Sequence, residues 1–376
     1  MSDDASDETD GESSDEPAEE SEATGEQRNG GEFAETNRPT PVGVKLGSTR
    51  TVVEFRNGTG DLHRSRTLTC LATYDDPLTG EERVLYGERA AQEYPDRVEF
   101  MLRSGLPEDG DRVATARRYF DELVGAEGVP EDSAVVYAVP TIDNEEGLSN
   151  LRDVIEDAPI GGDLVRSYPE SLCGAIPAYG DGLEAIEEVF VAINMGSTNL
   201  EACAYRRGEQ LAPFTTGAVT GNEADRWIAN AIEEETQGRV NVDRTTAREY
   251  KEEHADFESF EPFTDVVQQP GGGSHEFTVE RGVMEPLDRY VDEAVDVVAN
   301  EFLPELASGY MKPYQIALGK PIALTGGMAC IPGIAEEWKR RLSAELDREV
   351  SVVTADRPDL AAAEGAHRIA ERLVSA

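Results

Sequence analysis

Val42, Val44 and Leu46 alternate with Gly43 and Lys45, Gly47-Ser48-Thr49 interrupts, and Thr51 to Phe55 resumes an apolar-rich run. Alternation broken by a short glycine-bearing turn is the pattern of a β-hairpin. It returns 149 residues later: Val191 to Met195, the tip Gly196-Ser197-Thr198, then Glu201 to Tyr205. The spacing is about one domain. The repeat predicts two related halves, each offering a tip of backbone N–H and hydroxyl donors. Two such tips facing across a cleft make a clasp for phosphate.

Between and after the hairpins, strand and helix patterns alternate. Leu68 to Leu71 and Val84 to Tyr86 look strand-like, and a helix is expected near 112–124. Ala134 to Val139, nearly all apolar and ended by Pro140, reads as a buried strand. Leu148, Leu151, Val154 and Ile155 have helical spacing over 145–157, and a strand near Val165 leads to a helix from about Pro169. A helix near 222–236 carries the run Glu233 to Glu235, read as a solvated face. Residues 238–280 are polar, with Gly271 to Ser274 as a flexible turn or linker. An apolar stripe from Val283 to Val298 predicts a long helix over 280–302. Ile322 to Leu324 then runs as a buried strand into Thr325-Gly326-Gly327, with a helix beyond Pro332. A strand over 350–353 and a helix over 358–374 close the chain. The alternation argues for α/β layers.

Charge adds a second constraint. The 376 residues carry a formal net charge of -43, yet 39% are hydrophobic, enough for two domains with real cores. Residues 1–40 hold 14 acidic and 2 basic side chains with almost no apolar content, and are expected to be a disordered tail. The body remains acidic without them. Lysine occurs only at 45, 251, 312, 320 and 339, against 29 arginines. Acidity with little lysine suits a cytoplasmic protein kept soluble in concentrated salt, as in an extreme halophile. No basic stripe exists for a nucleic-acid groove. Four scattered cysteines fit reduced thiols, and neither a membrane span nor a basic amphipathic anchor is evident.

The order of hairpin, Val-Pro strand, helix, second hairpin and Thr-Gly-Gly resembles the superfamily of actin, the bacterial actin MreB, DnaK-type chaperones and sugar kinases. The resemblance runs from 42 to 376 and is nearest the actin and MreB branch. With the halophilic composition it points to haloarchaeal actin homologues of the salactin or volactin type. Tyr86-Gly87-Glu88-Arg89-Ala90 resembles a step in that family's small subdomain, and Gly365 sits in its last helix connection. The likeness implies an α/β, duplicated, ribonuclease H-like fold around a nucleotide cleft. Domain I would cover 41–182, with a small subdomain at 56–110 and the C-terminal helix 355–376 joined to it. Domain II would cover 183–354, with a small subdomain at 238–280. It also implies ATP between the tips, contacting Lys45, Gly47, Ser48, Thr49, Asn194, Gly196, Ser197 and Thr198. Gly326, Gly327 and Met328 resemble the adenosine loop, and Arg248 and Lys251 the segment beside adenine and ribose. Glu170 stands where the family places the residue that orients the attacking water.

The chain departs from the family at two positions. Lys45 and Asn194 replace aspartates that usually hold the waters around Mg²⁺. An ammonium cannot do so, and a neutral amide does it weakly. A lysine there either reaches a phosphate as a point charge or folds into a salt bridge with a nearby carboxylate. The resemblance implies a self-assembling, nucleotide-gated filament protein. The alternatives are a non-hydrolysing nucleotide-binding scaffold and a small-molecule or sugar kinase, although no sugar-facing carboxylate is evident. A chaperone would need a substrate domain beyond Ala376.

Overall fold

Ten strands form two five-stranded sheets built to one plan. The computed structural model describes residues 38–180, 182–269 and 273–376. Nearly all of the expected acidic tail, and Gly271 and Gly272 of the expected linker, lie outside them. β1 (Pro41–Leu46), β2 (Arg50–Arg56) and β3 (Leu62–Leu68) run as an antiparallel meander. β4 (Leu71–Asp75) and β5 (Glu82–Tyr86) form a separate two-stranded sheet. β6 (Ser133–Val139) and β7 (Gly161–Pro169) then add in parallel beside β1, giving the order β3-β2-β1-β6-β7.

The second half repeats this. β8 (Val189–Met195), β9 (Leu200–Arg206) and β10 (Glu209–Thr216) form the meander, and β11 (Phe263–Gln269) with β12 (Gly273–Val279) the separate pair. β13 (Ile322–Thr325) and β14 (Val352–Thr354) complete the order β10-β9-β8-β13-β14. Strand directions match throughout. The first hairpin pairs Leu46 with Thr51 and the second pairs Met195 with Leu200, so the two turns have the same length.

Two helices lie between the sheets. Ala361–Ser375 packs on β1 and β6, and its other side meets Glu170–Ala178, which packs on β13 and β8. Small residues bring the backbones together. A Cβ on Gly43 of β1 would fall 2.1 Å from the Ala363 carbonyl oxygen, and one on Gly365 would fall 1.9 Å from that of Cys173. One on Gly174 would fall 2.3 Å from Thr325 Oγ1 of β13. Real carbons cannot approach so closely, so each contact requires glycine. Alanines fill the remaining interface, with Ala362, Ala366 and Ala370 against Val136, Cys173 and Ile176. The bulky cores lie on the outer faces, around Tyr119 and Phe120 in one half and Tyr290, Phe302 and Trp338 in the other.

Several local expectations are corrected. Leu68 to Leu71 is not one strand: β3 ends and β4 begins there, and the Thr69 N–H turns to the Thr49 carbonyl at 2.9 Å. The polar stretch 238–280 holds the helix Arg244–His254 and the β11–β12 pair. Glu235 is more than a solvated face, because its carboxylate accepts the N–H groups of Glu280, Arg281 and Gly282 at 3.0–3.1 Å. The long helix starts at Met284, widens into a π-turn over Val298–Phe302 and continues to Gly309. Pro304 lacks the N–H that a regular helix would use there. Among the described residues, no helix is long and apolar enough to cross a membrane.

Gly365→Ala should lower the thermal midpoint in multimolar KCl, with a cost of about 1–3 kcal/mol or more for the forced overlap. Gly58→Ala, where a Cβ meets nothing within 4 Å, is the control and should leave it unchanged. Circular dichroism measures both. A Gly365→Ala midpoint equal to wild type would show that the two helices need not touch there.

Candidate functional site

The two hairpin tips touch. Each turn closes on itself, Gly47 N–H to the Arg50 carbonyl at 3.2 Å and Gly196 N–H to the Asn199 carbonyl at 2.9 Å. Ser48 Oγ then lies 3.2 Å from Thr198 Oγ1. The donors can be assigned. Ser48 Oγ accepts the Gly105 N–H at 2.7 Å, which leaves its own proton for Thr198. Thr198 donates to Asn199 Oδ1 at 3.4 Å, and Asn199 Nδ2 donates to Glu201 Oε1 at 2.7 Å. One directed run of hydrogen bonds thus crosses from the first half to the second.

Beside the tips is a cavity of about 450 Å³. Gly47, Ser48, Thr49, Gly196 and Ser197 line one side, and the N–H groups of Ser48, Thr49 and Ser197 make no hydrogen bond among the described residues. Gly327 and Met328 line another part. A Cβ on Gly327 would meet nothing within 4 Å, so the loop leaves room there. Gly221, first residue of the helix Gly221–Glu235, also lines the cavity. The first two amides of that helix bond the Gly196 and Ser197 carbonyls at 3.0 and 2.9 Å, which sets the positive end of its dipole against the second tip.

Arg248 and Lys251 share one buried carboxylate, with Asp225 accepting Nε of the first at 3.3 Å and Nζ of the second at 2.5 Å. Arg50 Nη2 reaches Glu252 Oε2 at 2.7 Å, linking β2 to the helix Arg244–His254 across the cavity edge. Arg66 pairs with Asp359 at 2.7 Å in the loop before the last helix.

Lys45 and Glu170, read separately in the sequence, are partners at 2.9 Å. Lys45 lines the cavity; Glu170 does not. The lysine stem passes under the first tip, where a Cβ on Gly47 would lie 3.2 Å from Lys45 Cε. Burial alone would lower the ammonium pKa, but the charge and hydrogen bond of Glu170, with the charges of Glu201 and Asp359, together outweigh it and the pKa ends above its ordinary value. Glu201, cross-strand partner of Asn194, is fully buried. Its pKa is pushed up to about 8, first by burial and then by the charge of Glu170. Glu201 Oε2 and Asn194 Oδ1 have no hydrogen-bond partner among the described residues.

Of the expected contact residues, Lys45, Gly47, Ser48, Thr49, Gly196, Ser197, Arg248, Lys251, Gly327 and Met328 line the cavity. Asn194 lies beneath it, Thr198 is turned to Ser48, and Gly326 (φ +89) packs against the Met195 carbonyl. Sequence reasoning missed Arg50, Arg66, Asp225 and Glu201. Asp225 was findable, since it sits three residues before Ile228 on the apolar side of its helix. Glu201 is the one acid in an otherwise apolar strand interior.

A family model described as Salactin matches residues 39–374. Salactin of Halobacterium salinarum is 66% identical over 343 residues, covering 91% of this chain and 94% of that protein. Among solved structures, MreB5 of Spiroplasma citri bound to ADP superposes with a TM-score of 0.70 at 17% identity, covering 90% of this chain and 98% of its own. The MamK double helical filament gives 0.67 at 17%, covering 88% and 98%. The fold is therefore the actin-like one, as the family resemblance implied.

The raised pKa of Glu201 carries a sign. Between its ordinary value of 4.5 and about 8 the folded chain keeps a proton that the unfolded chain has lost. Stability therefore falls as pH rises through that window. Glu201→Gln should match wild type near pH 5 and melt at a higher temperature at pH 9. Melting curves at both pH values in multimolar KCl test this, and an equal gap at the two would mean that Glu201 does not titrate there.

Proposed function

The chain belongs to the Salactin family, and from that premise we propose that it is a cytoplasmic, actin-like cytoskeletal protein that binds ATP between its halves and assembles into filaments. The observation that carries this reading is the meeting of the two Gly-Ser-Thr tips at 3.2 Å beside a 450 Å³ cavity. Ser48, Thr49 and Ser197 offer unpaired N–H groups to the phosphates of a nucleotide, as nests of backbone amides do for anions. Gly327 and Met328 leave space for the nucleoside, with Arg248 and Lys251 held at its edge by Asp225. MreB5 has been solved with ADP and with AMPPNP, which supports a nucleotide in the equivalent cleft.

The donor set does not fit Mg²⁺ at the usual place. Lys45 puts a positive charge there, and Asn194 offers only a buried neutral amide. No group of three or more His, Cys, Asp or Glu side chains able to hold a metal ion occurs among the described residues. In our reading Lys45 supplies the positive charge itself. A hard divalent ion prefers carboxylate oxygens, whereas a phosphate accepts an ammonium as a point charge. The same lysine holds Glu170, the residue best placed by resemblance to orient water, so hydrolysis is slow while that pair is intact.

Titration calorimetry in multimolar KCl should show ATP binding that Gly327→Trp abolishes by filling the open side of the loop. No heat with any purine triphosphate at millimolar concentration would end the nucleotide reading. Lys45→Asp should make binding or phosphate release depend on Mg²⁺ where wild type does not. If affinity and metal dependence are both unchanged, Lys45 serves only its salt bridge to Glu170. Sedimentation with ATP, ADP and AMPPNP tests assembly, and a monomer under every condition would favour the scaffold alternative.

A further inference from the structure

The turn between β4 and β5 presents a single leucine to solvent. Leu78 is 94% exposed, the most exposed large hydrophobic side chain among the described residues. The turn beneath it is tightly made. Asp76 Oδ1 accepts the N–H groups of Leu78 and Thr79 at 2.8 and 3.1 Å. The Asp76 backbone closes the loop to Glu81 and Gly80 at 2.8 Å each. An exposed apolar side chain on a loop already held in one shape loses little entropy on docking. Around it stand Asp75, Asp76, Glu81 and Glu82; Arg83 pairs with Asp76 and Glu81 and Arg118 with Glu82, which leaves Asp75 without an ion pair among the described residues.

A surface of opposite character lies elsewhere. Residues 306–335 contain no Asp or Glu, in a chain where those two types number 77. Within that window Tyr310, Met311 and Ile316 are exposed, Met311 by 54%. Lys312 and Ile316 are four residues apart on the helix Met311–Ala317 and share a face. Lys312 is one of five lysines, and no carboxylate lies within ion-pair distance of it among the described residues. The neighbouring bases Arg206 and Lys320 are engaged by Glu209 and Glu188. On so acidic a molecule, an unpaired lysine among exposed apolar side chains is a surface without its complement.

We infer that the occupant of this patch is a second copy of the chain, whose Leu78 turn seats between Tyr310, Met311 and Ile316 with its acidic flank toward Lys312. The inference rests on the self-assembly reading and names the surfaces that would perform it. Each copy carries both surfaces and they differ, so the contact is heterologous and repeats head to tail without using itself up. In concentrated salt the screening length is about 3 Å or less, so the charges act only at contact and set register. The leucine supplies the apolar burial, which high salt strengthens.

Paired cysteines test the geometry. Leu78→Cys with Met311→Cys in one chain, oxidised after assembly in multimolar KCl with nucleotide, should give a ladder of covalent multimers. Neither single variant should give one, and these controls also account for the exposed native Cys330; the other three cysteines are buried. Separately, Leu78→Asp should raise the critical concentration for pelleting about tenfold or more, as loss of an interface anchor does. Circular dichroism and ATP calorimetry on the same variant confirm that it is folded and loaded. Lys312→Glu should weaken pelleting, and adding Asp75→Lys should recover part of it. Filaments of the double-cysteine chain without a ladder would overturn the pairing. So would dimers from Met311→Cys alone, which would mean that two patches face each other. If wild type binds ATP but never pellets, the assembly reading fails with it.

Discussion

The two halves meet through layers that leave no room for a side chain at three glycines. β1, the last helix, the helix Glu170–Ala178 and β13 stack through Gly43, Gly365 and Gly174, each placed where a single added carbon would collide with the next layer. That spacing brings two separately built sheets near enough for their hairpin tips to meet. The Ser48 to Thr198 contact spans 3.2 Å, so a widening of a few tenths of an ångström in the stack would break it. The small-residue interior therefore has a positional role. The outer cores, rich in tyrosine, phenylalanine and tryptophan, bury the bulk of the apolar surface, and the alanine and glycine layer sets the distance between the halves.

Charge is organised differently inside and outside. The exposed surface carries a large excess of carboxylate, yet around the cavity the bases are held in specific pairs: Lys45 by Glu170, Arg50 by Glu252, Arg66 by Asp359, and Arg248 with Lys251 by Asp225. Partly buried pairs are screened much less than exposed ones, so they keep their geometry in brine. Arginine and lysine are also not interchangeable here. Lysine, rare in this chain, appears at Lys45 and Lys251, where a single compact ammonium on a flexible stem meets one carboxylate oxygen.

The hairpins were legible because a turn between alternating runs is encoded within a dozen residues, and their repetition made the duplication visible. The cavity lining followed wherever it was carried by such local motifs, as at Gly47 to Thr49, Gly196, Ser197 and Gly327. Partnerships between distant residues were not legible. Lys45 and Glu170 are 125 positions apart, and no local pattern joins them. Glu235 looked like one of three solvated acids until β12 and the loop after it delivered three amides to its carboxylate. The β11–β12 pair stayed hidden because its core-facing side, with Phe263, Val267, Phe277 and Val279, is interrupted by Asp265 and His275, so alternation carried little signal.

The π-turn at Val298–Phe302 has a consequence for angle. Leu303 N–H bonds the Val298 carbonyl, one residue further back than in a regular helix. Each residue of an α-helix advances the chain by about 100°, so one extra residue in a turn rotates everything after it by that amount relative to the stripe before. Leu306 is buried and Glu305 exposed in that rotated frame. The helix thus carries a phase offset that fixes the direction in which Tyr310 and Met311 leave the body of the protein. Removing one residue from the turn would restore a regular helix, and it would swing that surface about a third of the way around its axis while leaving its composition untouched.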